Sequence, residues 1–541
     1  MYGIALDLGT SGFRAQLIDL KTKNVVKTAL TMGHPLPGGN VTDHLDFAIK
    51  AGESVAHRII IDTIKKIITR FNIEPYNIKK IAVCGNPIQL SLFQNIEFRD
   101  LAYAGENMQK RLGISDVNRD ARIFPAKEIF DGIVDMPDCN IIVPPAIRHE
   151  IGADALAMMV ETDFLDHEAP SLITDYGTNA EMAIKVGNRI ITGSAAAGPA
   201  IEGQGISCGM LASPGAISDV NPEGDFWRVT VLNENMEESK GDLIDPVTGM
   251  VIEKSDVEAV GLTGTGLISA LSLAIKTGLM KNIPELPNGK LILGDRVKLT
   301  EKDIREAGKA IGAIRAVQLT LLVESGIKYQ DLENVYMSGA SGTYVDADKA
   351  REIGSCPNFA KRIVQFGNTS ISLAKELVID DSKLDKVIEL ANTIKADHHM
   401  MATSDTFKDF YSCELAYWEE GMPIEQYNEF LEIYGYPKIP ETNENPIKEK
   451  RVKKDIEDVG MDGVTIINDI GIKIEEDAVG CVECYKCEEE CPENSIIVVK
   501  KEGTYFTNYT SHKCLGTSCR RCVRACPVNA IQYKDIKVIS H

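Results

Sequence analysis

Eight of the thirteen cysteines lie between residues 481 and 526, in two groups whose spacing points to metal chemistry. The first group runs Cys481-x2-Cys484-x2-Cys487-x3-Cys491-Pro492, and the second Cys514-x4-Cys519-x2-Cys522-x3-Cys526-Pro527. Three thiolates from one short loop wrap three corners of an iron–sulfur cubane, and the thiolate beside the other group's proline closes the fourth. The expected ligand sets are Cys481, Cys484, Cys487 and Cys526 for one 4Fe–4S cluster, and Cys514, Cys519, Cys522 and Cys491 for the second. Zinc also takes repeated C-x2-C pairs, but x3 before each Cys-Pro is not zinc-ribbon spacing. Cys84, Cys139, Cys208, Cys356 and Cys413 are scattered singly and are expected to be buried small hydrophobes or inert thiols.

The two groups differ in charge. Residues 475–493 carry eight acids and one base, a net −7, whereas residues 512–526 carry four bases and no acid, a net +4. Negative charge disfavours adding an electron, so the cluster wrapped by residues 481–487 is expected at the lower potential. Arg520 and Arg521 are expected to face an acidic electron donor.

A second constellation suits phosphate. Asp7-Leu8-Gly9-Thr10-Ser11-Gly12 follows an alternating run from Tyr2, and such a glycine-rich hairpin turns its backbone N–H groups toward an anion. Asp7 suits a magnesium ion, which keeps its waters and takes few protein carboxylates. Asp175-Tyr176-Gly177-Thr178-Asn179 repeats the device, and Ser338-Gly339-Ala340-Ser341-Gly342 follows the short strand Val335–Met337. Phosphate and magnesium are therefore expected at Asp7, Thr10, Asp175 and Thr178. Gly9, Ser11, Gly177 and Asn179 complete the two loops, and Gly339 and Gly342 would let a base or ribose lie against the backbone. A single turn of this kind is equally a hairpin that needs glycine. Two in order, followed by a strand–glycine–helix element, are far more specific. Asp154 and Glu181 are candidates for positioning water.

These residues need sheets to hold them. Phe13–Leu20, Val25–Thr31, Ala180–Val186 and Arg189–Thr192 read as strands, and Glu53–Phe71 and Lys302–Glu324 carry the apolar stripes of helices packed on sheets. Asp346–Glu352 and residues 399–436 read as helical, and Ser495–Val499 and Ala530–Tyr533 as strands of the cysteine module. Pro437–Lys454 is rich in Pro, Asn, Glu and Lys and reads as a linker that would let the module move. His398-His399-Met400-Met401 is expected to be a helix-end cluster rather than a ligand set.

The paired Asp-x-Gly-Thr loops and the later glycine motif resemble the superfamily of actin, heat-shock chaperone ATPases and sugar kinases. Its two RNase H-like domains clamp ATP between paired phosphate loops. Ala195–Gly203, Cys208-Gly209-Met210, Pro214–Ile217, Gly264–Ile268, Gly85-Asn86 and Asp303-Ile304-Arg305 are similar to ATP-dependent reductive activators of corrinoid proteins. Many such activators carry an N-terminal plant-type 2Fe–2S domain. With two bacterial-ferredoxin groups at its C-terminal side instead, this sequence most resembles the activases that serve methylamine methyltransferases. The resemblance implies an α/β fold of two RNase H-like parts, at 1–155 and 156–398. A helical segment and linker would follow at 399–470, and an α+β ferredoxin domain with two 4Fe–4S clusters at 471–541. It also implies ATP and Mg2+, corrinoid methyltransferase proteins as partners and a low-potential donor such as a ferredoxin.

With 541 residues and a formal net charge of −21, several domains are expected and nucleic acid or an anionic membrane is not a natural partner. The sequence opens on a strand-like run without a basic leader, and no apolar stretch approaches the ~20 residues of a membrane helix. The expected compartment is the cytoplasm. The expected function is ATP-driven reduction of inactive Co(II) corrinoid to Co(I). Three competitors remain: an activator of a radical dehydratase, a non-hydrolysing electron-transfer scaffold, and a small-molecule kinase, which would leave the clusters without a role.

Overall fold

The structure, a computed structural model, describes residues 1–102, 106–114, 117–147, 151–177, 179–195, 205–210, 212–394, 401–491 and 493–539. They form two compact units. One comprises residues 1–157, 370–392 and 458–541, and the other 158–369 and 393–457.

The first unit is built on strands β1 (Tyr2–Gly9), β2 (Gly12–Asp19), β3 (Val25–Thr31), β4 (Ile78–Gly85), β5 (Arg122–Pro125) and β6 (Asn140–Val143), with Val464–Ile467 as a seventh. Helices α1 (Val41–Ala51), α2 (Glu53–Arg70) and α3 (Pro87–Gln94) belong to the same unit. β1 and β2 form a hairpin whose last pair is Gly9 with Gly12, and β1 runs parallel to β4. Gly3 to Leu8 are all buried, as a central strand covered on both faces requires. A Cβ at Gly3 would collide with Val378, so the bare backbone lets the helix Thr369–Ile379 close over β1.

The second unit repeats this order with β7 (Ser171–Tyr176), β8 (Ala180–Val186) and β9 (Arg189–Ala195). β7 to β9 form antiparallel neighbours, and β7 is parallel to Asn334–Ser338, which is parallel to Arg362–Gln365. The pattern of hairpin, third strand and parallel partners thus occurs twice, the two RNase H-like parts expected. The long helix Glu301–Ser325 starts from a Thr300–Asp303 capping box. Its Gly308 and Gly312 leave room for Trp418 and Glu414 of the helix Asp405–Glu420. There Arg315 pairs with Glu414 at 3.4 Å, and Tyr427 donates to the same carboxylate at 2.6 Å. Met401 is buried against Gly193, a core residue as expected, while His398, His399 and Met400 lie outside the described residues.

Two expectations need correcting. The segment read as a linker is not free. Ile447–Lys450 adds an edge strand parallel to Arg362–Gln365, and Val464–Ile467 adds one to β3 in the first unit. A strand ladder is made by backbone, so an edge strand of sequence IKEK needs no apolar face, and its charges pair instead. Glu449 takes Arg362 at 2.7 and 3.0 Å. The chain after 457 then belongs with the first unit, tied down where Gln16 donates to the Asp458 carbonyl at 2.7 Å and Lys66 to the Asp469 carbonyl at 2.9 Å.

The C-terminal sheet orders Ile496–Lys501, Thr504–Thr510, Lys473–Asp477 and Lys537–Val538. The first of these covers the strand expected at 495–499, but Ala530–Tyr533 is not a strand. The Glu476 carboxylate takes the N–H groups of Gln532 (2.9 Å) and Lys534 (3.1 Å), and Tyr533 and Asp535 adopt left-handed φ values. Glu476 is 4% exposed and also accepts from the Tyr509 hydroxyl at 2.8 Å. It is a structural hub rather than one of the solvated acids of its segment. Glu476→Ala removes a buried carboxylate that holds three donors, so a loss of about 2–3 kcal/mol is expected. Thermal unfolding of the iron-loaded protein checks this, and a change under ~1 kcal/mol would contradict the hub role.

Candidate functional site

In the first unit the Asp7 loop sits at the end of β1. Asp7 is 4% exposed, faces Arg14 across the hairpin register and pairs with its guanidinium at 3.3 Å. Thr10 accepts a hydrogen bond from Asn86 Nδ2 at 3.1 Å. Asn86 caps α3 by accepting from the N–H groups of Ile88 and Gln89, with Pro87 in the first turn. An Asn-Pro pair after a strand marks a helix start, and that signal was available in the sequence. Asp154, at the start of the helix Ala153–Val160, completes the site. Burial first, and the Asp7 carboxylate second, push its pKa up to about 7 against the hydrogen bond from the Ala155 N–H. Two neighbouring carboxylates beside the glycine hairpin are a donor set that would suit a hydrated divalent cation.

Stability should respond to this raised pKa, which burial causes first and the Asp7 charge second. The folded state holds a proton on Asp154 that an unfolded chain releases near pH 3.8, so this contribution is lost as pH rises from about 4 to about 7 and is flat above. Asp154→Asn is therefore expected to gain roughly 2 kcal/mol over the parent at pH 8 in metal-free buffer, and much less at pH 5. Paired melts at the two pH values check it, and an equal gain at both would contradict the raised pKa of Asp154.

In the second unit Asp175 stands opposite Glu181 in the β7–β8 register, and Glu181 is buried. Gly177 and Asn179 form the turn, and Thr178 lies outside the described residues. Gly339 opens a short helix, Gly339–Tyr344, directly from the strand end, with φ +81°. A Cβ there would strike the Asp175 carboxylate and crowd the Tyr176 backbone, while one at Gly342 would meet Met337 and Tyr176. The glycine motif and the second aspartate loop are thus in direct contact.

The cysteine module brings the second ligand set together. Cys491, Cys514, Cys519 and Cys522 line one cavity, with Ser495, Tyr509 and Tyr533. Cys491 joins them from the other group. Among the described residues no three His, Cys, Asp or Glu side chains close on a point for a single ion; the four thiols surround a space, which suits a ligand with four corners. Burial and the neighbouring Cys514 thiol push Cys522 up to about 12, and burial pushes Cys487 up to about 11. Thiols crowded this way give up their protons to a cationic iron core rather than to water. Burial works against Cys491, yet the Ser495 hydroxyl and backbone hold it below the ordinary thiol value. The Ser495 N–H donates to Cys491 Sγ at 3.3 Å and the Ala530 N–H to Cys526 Sγ at 3.2 Å, the same step of four residues after each group. The donor set and these N–H···S contacts fit 4Fe–4S clusters. In the first set, Cys481 is half-buried, Cys484 exposed and Cys487 buried. The five scattered cysteines bear no disulfide, and burial raises Cys139, Cys208, Cys356 and Cys413, as inert thiols require. Among the described residues no helix is long and apolar enough to cross a membrane.

Comparison with known proteins agrees with this geometry. Residues 2–167 match the RACo middle region, 169–428 the C-terminal ASKHA domain of RACo, and 473–535 a 4Fe-4S dicluster domain. The "[Co(II) methylated amine-specific corrinoid protein] reductase" of Methanosarcina barkeri is 64% identical over 518 residues, 96% of each chain. The corrinoid activation enzyme RamQ of Eubacterium limosum is 27% identical over 66% of this chain and 60% of its own. A solved structure titled "Reductive activator for corrinoid,iron-sulfur protein" superposes with a TM-score of 0.59 at 22% identity, over 77% of this chain and 66% of that one, which supports the fold. By its near full-length likeness to the M. barkeri reductase and its two RACo-type regions, the chain belongs to the family of reductive activases of corrinoid proteins.

Proposed function

We propose that this chain hydrolyses ATP to drive the one-electron reduction of Co(II) to Co(I) in corrinoid methyltransferase proteins. What carries the reading is that one compact unit contains both the Asp7 loop and the thiol cavity, in a chain 64% identical to a corrinoid protein reductase. The clusters, when bound, supply single electrons at low potential. The protein's own residues do the rest: Asp7 and Asp175 orient Mg2+ and phosphate, and Asp154 holds the attacking water or its proton. Co(I) is so strong a reductant that a shortfall of a few hundred millivolts leaves almost no product, since ~59 mV is a factor of ten for one electron. Hydrolysis supplies the missing drive by changing the complex with the corrinoid protein.

On this reading the donor is an acidic low-potential protein such as a ferredoxin. Lys513, Arg520, Arg521 and Arg524 are exposed around the second thiol cavity of a chain that is otherwise strongly acidic, which favours such docking. The reducing cytoplasm is the compartment the thiol chemistry implies. The test is anaerobic: reconstituted protein, Co(II) corrinoid protein and reductant are mixed, and the Co(I) spectrum is followed with and without ATP. Co(I) that appears equally fast without ATP would overturn the coupling.

A further inference from the structure

The segment between β3 and α1 touches both the phosphate loop and the cluster loop. At one end, the Phe13 N–H donates to Thr31 Oγ1 at 2.7 Å, and the Thr31 hydroxyl donates to the Gly33 carbonyl at 2.8 Å. A Cβ at Gly12, the last residue of the phosphate hairpin, would press on the Thr31 and Gly33 carbonyls at 3.1 Å. At the other end, the Gly38 N–H donates to the carbonyl of Cys514 at 2.9 Å, and Gly516 packs directly on the Gly38 backbone. Thr517 reaches Asp43 on α1 at 3.4 Å.

Between the ends lies a buried polar triad. His34 and His44 stack with ring centroids 3.8 Å apart, 5% and 0% exposed. Gln89 on α3 bridges them, its Oε1 3.1 Å from His34 Nε2 and its Nε2 3.0 Å from His44 Nδ1. The proton order follows from valence. The Leu36 N–H donates to His34 Nδ1 at 3.1 Å, so that nitrogen carries no proton and His34 Nε2 must donate to Gln89. The Gln89 amide then faces His44 Nδ1 with its NH2, and His44 carries its proton on Nε2. No member can turn without breaking the others, so the triad has one arrangement. Burial holds both rings neutral, with His44 pushed down to about 3, which removes any role as a pH switch near neutrality. Gln89 rides on the helix whose cap, Asn86, bonds Thr10 of the phosphate loop. The chain of contacts therefore leaves the phosphate loop by two routes, through Thr31–Gly33 and through Asn86–Gln89, and both meet at the histidine pair.

We propose that residues 31–44 and Gln89 form the link that transmits nucleotide occupancy of the first phosphate loop to the loop bearing Cys514. The inference rests on the ATP-coupled reading above and adds its route. Contiguous hydrogen-bonded and packed elements are the physical carriers of such coupling. His34, His44 and Gln89 are positioning residues here: they touch neither nucleotide nor cobalt.

The test uses the iron-loaded full chain. Amide exchange across residues 33–43 and 512–519 is expected to slow at least threefold when a non-hydrolysable ATP analogue binds. Gln89→Leu keeps the side-chain volume and removes both bridges, and His44→Phe keeps the ring and removes the acceptor. Both variants should keep their iron and their basal ATP hydrolysis within about twofold. Both should lose the nucleotide-dependent exchange change at 512–519, with ATP stimulation of Co(II) reduction falling tenfold or more. His44→Asn, which restores an acceptor at the Nδ1 position, should recover most of the stimulation. If Gln89→Leu loses iron or fails to fold, the His44→Phe and His44→Asn pair decides alone. Nucleotide-dependent exchange at 512–519 that survives in His44→Phe overturns the link while leaving the ATP-coupled function standing. A parent protein that shows no nucleotide effect on cobalt reduction overturns both.

Discussion

Replacing Asp7 or Asp175 by alanine is expected to cut ATP-dependent Co(II) reduction roughly 100-fold or more, while the iron–sulfur absorption spectrum stays unchanged. The size follows from what a preorganised carboxylate does beside a phosphoryl group, where one removed electrostatic contact costs several kcal/mol of transition-state stabilisation. The selectivity follows from the fold. Asp7 lies near the end of a strand whose ladder is backbone-made, and the hydrogen bond from Gly38 to Cys514 at the cluster loop is backbone to backbone. Asp175 likewise lies near the end of β7 within a ladder, and its carboxylate abuts the backbone of Gly339. Asp175→Asn keeps that shape and removes the charge, so it should lose nearly as much activity as alanine. Asp7→Asn carries a second signature. The Asp7 charge is one of the influences that raise Asp154, so the variant should bring Asp154 below its value of about 7 and shift the acid limb of the residual hydrolysis profile downward. Full activity in either alanine variant would show that this pair of loops is not the motor.

How much of this was legible in the sequence depended on what kind of interaction fixed each element. β1 to β3 and β7 to β9 announce themselves by alternation around glycine turns. The helices Glu53–Arg70 and Glu301–Ser325 lie within one or two residues of their apolar stripes. The thiol cavity is suggested by spacing, because eight cysteines in two groups, each ending in Cys-Pro, leave few ways to close two cubanes. What stayed hidden was made by backbone or by single polar side chains. The strand at 447–450 pairs through its amides and shows the sequence only charge. At 530–533 the Gln532 and Lys534 N–H groups go not to a strand ladder but to one distant carboxylate, Glu476, whose burial no local pattern reveals. The His34–His44–Gln89 triad joins residues 55 positions apart, and nothing in the spacing of three polar residues marks them as neighbours. The seating of the cysteine module against α1 was missed for the same reason: it rests on Gly38, Gly516 and a backbone bond.

The crossed cluster assignment makes a prediction that pairs of substitutions can decide. Cys491 lines the cavity of Cys514, Cys519 and Cys522, so Cys491→Ala and Cys514→Ala should injure the same cluster, and Cys491→Ala and Cys481→Ala should injure different ones. The intact chain should carry about eight iron atoms, four per cubane. The double variant Cys491→Ala/Cys514→Ala removes two thiolates from one site, which cannot hold a cubane, and leaves the other site whole. It should show one intact four-iron EPR signal and about four iron atoms. The double variant Cys491→Ala/Cys481→Ala takes one thiolate from each site and should show no intact four-iron signal at all. Without crossing, the two outcomes exchange places, so the assignment is read from which double variant keeps one unaltered four-thiolate signal. Cobalt reduction gives a parallel reading: loss of either cluster interrupts a two-cluster route, and both double variants should fall to the rate of the reductant alone. If the first double variant loses both clusters and the second retains one, Cys491 belongs to its own group and the cavity has been misread.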